Sequence, residues 1–356
     1  MERFTIIIPT HNRPHYLQRI LDYYGAQGNG FKIIVADSSS EENKAKNKEI
    51  ITSVAGLDIL YLAHYPEQIN PWHKFAEAVG SAESEYCLFC ADDDFIIPSA
   101  IKKAVDFLEK NPDFTVVQGY YFSFRVNNKK PYFSLRATFR PAEITLLKPT
   151  ERLIEHLSNY STPTFCGVHR TDFLKLIFKE TLKHTNDGRF GKLLPSMLTL
   201  IYGKMKCLDV LYVAKEENLL SGGNQDESIS DFIRQETYRE KYNKFRKCLT
   251  IHLLAKSFRS NIQYSERIID KAMIAYLKKG YSPNFKSFLI NRLKKSLIFL
   301  SVPLFKKVRL FYIKIKLSFR KKSIDFLDLE NPLSKYHNDF DEIKNCVLSH
   351  LIGFQK

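Results

Sequence analysis

Cys90-Ala91-Asp92-Asp93-Asp94-Phe95-Ile96-Ile97-Pro98 is the stretch whose reading decides the fold. Three consecutive carboxylates follow an apolar run, Tyr86-Cys87-Leu88-Phe89, which has the composition of a buried strand. Pro98 suits the first position of a helix. The acids therefore fall at the carboxyl end of a strand, the edge at which open α/β sheets bind ligands. Adjacent negative charges repel one another unless a cation or solvent offsets them. A divalent cation carrying a phosphorylated ligand would do so. An acid-rich surface loop is the alternative, and the residues before the triplet bear on the choice.

Working outward, Phe4 to Ile8 reads as a buried first strand, and Pro9 to Pro14 as a loop ending at a helix start. Tyr16, Leu17, Ile20, Leu21 and Tyr24 follow at helical spacing. Phe31 to Ala36 is a second strand, Glu42 to Val54 a polar helix, Leu57 to Leu62 a third strand and Trp72 to Ala82 another helix. Strand and helix alternate as in a parallel sheet covered on both faces. With right-handed connections, the loops after strands one, two and four open on one edge. That would bring Thr10, Asp37 and Asp92 to Asp94 together. Beyond the acids come a helix from Ser99 to Glu109, a strand from Phe114 to Gly119 and a β excursion over Tyr120 to Arg140. Phe165 to Val168 reads as a short strand, with helices over 149–159, 171–181 and 190–201 and a last strand over 205–213.

Three motifs in this order resemble the family 2 glycosyltransferases, whose fold is termed GT-A. They are Ile6-Ile7-Ile8-Pro9-Thr10-His11-Asn12-Arg13-Pro14, Ile33-Ile34-Val35-Ala36-Asp37-Ser38-Ser39, and Asp92-Asp93-Asp94 with Pro98 beyond it. The resemblance covers roughly Arg3 to Val213. It implies an α/β fold with a mostly parallel, Rossmann-like sheet and helices on both faces. It also implies metal-dependent transfer of a sugar from a nucleotide-diphosphate sugar, UDP-linked, to a glycan or lipid-linked acceptor. Surface polysaccharide such as lipopolysaccharide or capsule is the expected setting, and inversion at the anomeric carbon the expected outcome. By the same resemblance Asp92 and Asp94 would hold Mn²⁺ or Mg²⁺. Pro9, Thr10, Arg13, Asp37, Lys74 and Asp93 would contact the donor, with Asp37 on the uracil or ribose. Arg13 reads equally as a surface arginine, and Lys74 equally as a solvated helix residue.

The sequence departs from the family pattern at three places. Ala36 stands where an acid is common and Ser38 where glycine is common. Ala91 replaces an acid found in longer acidic variants, leaving Asp92-x-Asp94 intact. The Glu-Asp pair that often supplies the general base is missing. Asp187, in Asn186-Asp187-Gly188-Arg189, is the acid in that region, and it reads equally as a catalytic base or as a helix cap. A non-catalytic GT-A-like binding or scaffold protein therefore stays open. A nucleotidyltransferase is disfavoured, because no Gly-rich phosphate loop follows the first strand.

The chain has 356 residues, 54 Lys plus Arg and 39 Asp plus Glu, for a formal charge of +15. The excess is local. Fifteen basic residues and no acidic one lie between Lys271 and Ile324, so the remainder is balanced. Apolar residues from Phe285 to Ile315 recur at spacings of three or four among these lysines and arginines. Such a pattern over 285–322 fits contact with an anionic membrane surface; a helical subdomain with a basic rim fits it too. No nucleic-acid module is recognised, so no nucleic-acid partner is expected. The reading places a GT-A domain over 1–220, with a nucleotide-sugar half over 1–119 and an acceptor half over 120–220. A helical, basic region follows over 221–356. Six cysteines without a paired zinc spacing read as free thiols. Neither a secretory signal nor a spanning helix is read from the sequence, which suggests a cytoplasmic protein, peripheral on the inner face of the membrane.

Overall fold

The computed structural model describes residues 3–28, 30–127, 132–217, 229–257, 261–281 and 324–353. At its centre three apolar runs lie side by side. β1 (Phe4–Thr10) is parallel to β2 (Lys32–Asp37) on one side and to β4 (Tyr86–Phe89) on the other, while β3 (Asp58–Leu62) extends the parallel set beyond β2. These strands are apolar on both faces because both faces are covered. Ile6, Ile8, Ile33, Val35 and Leu88 point into one core, and Ile7, Ile34, Ala36, Cys87 and Phe89 into the other. This is the two-residue alternation of a strand read against two helical layers.

The first core is closed by α1 (Pro14–Ala26), α2 (Glu41–Ser53) and α4 (Pro98–Lys110), and by α12 (His337–Gly353) at the end of the chain. The second is closed by α3 (Pro71–Gly80), α5 (Pro149–Ser158), α6 (Thr171–His184) and α7 (Gly188–Tyr202). The helices α8 (Ile229–Arg234), α9 (Tyr238–Lys256) and α10 (Ile262–Tyr281) also pack there. The short α11 (Phe326–Glu330) precedes α12. Proline opens α1, α3, α4 and α5, where its missing N–H has no intrahelical partner to lose.

The other half of the sheet adds β5 (Asp94–Ile96), β6 (Phe114–Asn127), β7 (Tyr132–Phe139), β8 (Val168–Arg170) and β9 (Lys204–Glu216). The order is β3-β2-β1-β4-β8-β6-β9-β5, with β7 also paired to β6. The expected GT-A architecture is thus present. Antiparallel pairs β4–β8, β8–β6, β9–β5 and β6–β7, with a parallel pair β6–β9, complete the sheet. Two local readings differ. Asp94, expected in the loop after the fourth strand, instead starts a short strand, because β9 runs on past Val213 and pairs Phe95 with Ala214 and Asp94 with Lys215. Residues 164–166 form a 3-10 turn, and the short strand begins at Val168. The expected domain boundary at residues 220–221 and the basic segment 285–322 lie outside the described residues. No helix among the described residues is long and apolar enough to cross a membrane.

Within the second layer, α3 is tied to the start of α7. Gly191 of α7 lies against the indole of Trp72 on α3, where an added Cβ would fall 2.0 Å from the ring. The indole Nε1–H donates to the carbonyl of Asp187 at 2.9 Å, and Asn70 Nδ2 donates to the carbonyl of Asn186 at 3.0 Å. Helix propensity alone would make Gly191→Ala stabilising by about 1 kcal/mol. Overpacking predicts the opposite sign, a loss of about 1–3 kcal/mol, to be read as a lower denaturant midpoint at unchanged slope.

Candidate active site

Because β1, β2 and β4 are parallel, their carboxyl ends share one edge. Thr10 ends β1 and Asp37 ends β2, paired in register, and Asp92 to Asp94 follow β4. All three acids of the triplet are buried. Burial pushes the Asp92 and Asp94 carboxyls up from the usual carboxylate range; Arg13 opposes this at Asp92 and Lys215 at Asp94.

Cations from three elements meet these acids. Arg13, just before α1, reaches both Asp92 and Asp93, the latter at 2.9 Å. Thr10 Oγ1 donates to Asp92 at 2.7 Å. Lys215 of β9 pairs with Asp94 at 3.1 Å. Arg19 of α1 pairs with Glu216 at 2.7 Å and donates to the Asp93 carbonyl at 3.3 Å. Its guanidinium lies between the rings of Tyr16 and Phe95, 4.8 and 5.1 Å from their centroids. Four carboxylates, Asp92, Asp93, Asp94 and Glu216, thus stand among Arg13, Arg19, Lys215 and Lys74.

Lys74 is buried rather than on a solvated face of α3. Its Nζ donates to the Thr10 carbonyl at 2.9 Å and to Ser38 Oγ at 2.8 Å. Burial lowers its pKa to about 8, against the pull of Asp92 and Asp37. Arg13 is likewise no isolated surface arginine, since its side chain is only a quarter exposed. Asp37 is fully buried. Its oxygens accept from the Ser39 N–H at 2.8 Å, and from Asn47 Nδ2 and the Tyr61 hydroxyl at 2.7 Å each. Pro9 lies within β1 beside Thr10, facing Ala36 in register.

Asp187 stands apart from this cluster, at the N-cap of α7. Its Oδ1 accepts from the N–H groups of Arg189 and Phe190 at 3.0 and 2.8 Å, and its Oδ2 from Thr185 Oγ1 at 3.1 Å. The bonds from Trp72 and Asn70 fix its loop to the start of α3, the helix that carries Lys74. His169 is a satisfied core residue. It is fully buried in β8, with Nδ1 2.8 Å from the Gly167 carbonyl, and burial lowers its pKa to about 4.

The donor set suits a hard cation. Mg²⁺ and Mn²⁺ prefer oxygen, and Mg²⁺ is commonly held by one or two carboxylates plus substrate phosphates. The raised pKa of both Asp92 and Asp94 marks buried carboxyls that further positive charge would stabilise. The triplet itself is not a closed three-carboxylate cage. Among the described residues, three His, Cys, Asp or Glu ligand atoms converge within 4.8 Å at Glu180, Cys248 and His252 instead.

The family described as glycosyl transferase family 2 matches residues 5–176. Residues 5–176 are thus similar to a family 2 glycosyltransferase domain. Similarity extends to the poly(ribitol-phosphate) β-N-acetylglucosaminyltransferase TarS of Staphylococcus aureus strains MW2 and Mu50, at 28% identity over 197 residues. The match takes in 53% of this chain and 32% of those proteins, so the chain spans about a third of their length. Among solved structures, S. aureus TarS 1–349 in complex with UDP-GlcNAc superposes with a TM-score of 0.51 at 14% identity, covering 100% of this chain and 92% of that one. At that identity the likeness is one of fold.

Arg19, Lys215 and Glu216 were not singled out from the sequence. Lys215-Glu216-Glu217 did carry a signal, since a charged run after an apolar strand repeats the pattern of Asp92 to Asp94. Arg19 and Glu216 are both nearly inaccessible, with side-chain exposures of 6% and 4%. Arg19→Met leaves Glu216 buried without its counter-charge and should cost ~3–5 kcal/mol. Arg19→Met with Glu216→Leu should recover most of that loss, as measured by a double-mutant cycle of denaturant unfolding.

Proposed function

We propose that the chain transfers a sugar from a UDP-linked donor to a hydroxyl of a surface-glycan acceptor. The observation that carries this reading is the gathering of Thr10, Arg13, Lys74 and the three buried aspartates at the carboxyl edge of β1 and β4. The family match and the TarS relatives support the reaction class, and the fold of the UDP-GlcNAc complex makes UDP-GlcNAc the first donor to test.

Asp92 and Asp94 would hold a divalent cation, which supplies Lewis-acid neutralisation of the charge that builds on the departing diphosphate. Arg13 now neutralises Asp92 and Asp93. With a cation held there, the Arg13 guanidinium would be free to turn to phosphate oxygens, for which its planar fork is suited. Lys74 offers a second positive charge, held at the Thr10 carbonyl beside the same edge. An ionised diphosphate and a divalent cation carry opposite charge, so taking up both would add little net charge to the site. Asp37 would orient the nucleoside through a remaining lone pair or by exchanging the Tyr61 hydroxyl for a base N–H. Asp187 would take the proton of the acceptor hydroxyl through Oδ2, which among the described residues accepts from Thr185.

Nucleoside diphosphate release from a panel of nucleotide sugars, with Mn²⁺, Mg²⁺ or EDTA, tests the donor site. Metal-dependent release from a UDP-sugar is expected, reduced at least ~100-fold in Asp94→Ala. Absence of both release and donor binding would contradict the assignment. For the base, Asp187→Asn keeps the helix cap, since Asn and Asp cap about equally well. It should preserve stability and donor binding while lowering transfer to acceptor by roughly 10²–10⁴-fold. Full transfer activity in that variant would remove Asp187 from the mechanism.

A further inference from the structure

We propose that Glu180, Cys248 and His252 form a Zn²⁺ site, separate from the sugar-transfer site, that clasps α9 to α6. One oxygen, one sulfur and one nitrogen ligand lie within 4.8 Å of one another. This mixture of thiolate, imidazole and carboxylate is the ligand chemistry of zinc, and it does not suit Mg²⁺.

Cys248 and His252 are four residues apart on α9, so they project from the same face. Glu180 meets them from α6, near the end of the glycosyltransferase-family match. The imidazole is already oriented. The Tyr202 hydroxyl lies 2.8 Å from His252 Nδ1, which leaves Nε2 directed at Glu180. A hydrogen-bond partner on the second ring nitrogen is the arrangement that fixes the tautomer and aim of a metal-bound histidine. Nε2 and the Glu180 oxygen stand 3.5 Å apart, long for a direct hydrogen bond. Tetrahedral zinc, with bonds of about 2.0–2.3 Å, places its ligands about 3.3–3.8 Å apart. Side-chain adjustments of about an ångström would therefore close the site. The other Glu180 oxygen pairs with Lys183, a half-exposed partner whose release costs little. Cys248 is buried, whereas Glu180 and His252 are part-exposed, so water can supply the fourth ligand.

The site would fasten the helices after residue 229 to the sheet-bearing part of the chain. Zinc would act there as a structural tie between α6 and α9, with no step in sugar transfer.

The test uses the full chain, stripped of metal by chelation and titrated with Zn²⁺ under saturating Mg²⁺, which blocks oxygen-only sites. One equivalent of Zn²⁺ should bind, and X-ray absorption of that complex should show one sulfur neighbour at about 2.3 Å. Co²⁺ in place of Zn²⁺ should give a thiolate-to-metal charge-transfer band that Cys248→Ser abolishes. Tyr202→Phe should weaken Zn²⁺ binding about 10- to 100-fold. No saturable Zn²⁺ uptake, a zinc shell without sulfur, or a cobalt band that survives Cys248→Ser would overturn the proposal. The wild-type absorption spectrum decides the matter even if Cys248→Ser does not fold.

Discussion

Neutralisation of buried carboxylates at one edge of the sheet is the constraint on which the rest of this structure depends. An uncompensated buried carboxylate costs several kcal/mol, a large share of the stability of an ordinary domain. Asp92, Asp93, Asp94 and Glu216 can be buried together only because cations arrive from separate elements. Arg13 and Arg19 come from the start and middle of α1, Lys74 from α3 and Lys215 from β9. The crossover connections that make the sheet parallel also bring these charges to its carboxyl edge. The fold and the charge balance are therefore one requirement, and the site is assembled as a consequence of folding.

The proposed cation site lies at the same edge. The Arg13 guanidinium bridges Asp92 and Asp93 there. The pKa values of Asp92 and Asp94 remain raised despite their partners, which is the sign of an incompletely compensated pair. Across the second layer, Trp72 couples α3 to the Asp187 loop through its indole N–H and its contact with Gly191. The helix that delivers Lys74 and the loop that carries Asp187 are thereby held as a unit. The chain of contacts runs from Thr10 through Lys74 and α3 to the start of α7.

Much of this was legible in the sequence, and the limits have physical reasons. The parallel half was readable because β1, β2 and β4 are continuous apolar runs, each followed by polar residues at its carboxyl end. Thr10, Asp37 and Asp92 to Asp94 were placed on one edge by that topology alone. The pairing of Asp94 with Lys215 was not readable, because it depends on antiparallel register between segments over a hundred residues apart. Lys74 could not be told from a solvated lysine, since the periodicity of α3 does not reveal that Ser38 and the Thr10 carbonyl lie above it. Asp187 was ambiguous for a different reason. A helix cap and a general base ask for the same residue type, and the structure shows the cap.

The most direct test of the central claim is the thermodynamic coupling between Mn²⁺ and UDP, measured by calorimetric titration of each ligand in the absence and presence of the other. If Asp92 and Asp94 hold the cation while Arg13 and Lys74 meet the diphosphate, each ligand should tighten the other by the same factor, as linkage requires. Asp92→Asn should abolish that factor. UDP binding that is indifferent to Mn²⁺, or coupling that persists unchanged in Asp92→Asn, would contradict the account.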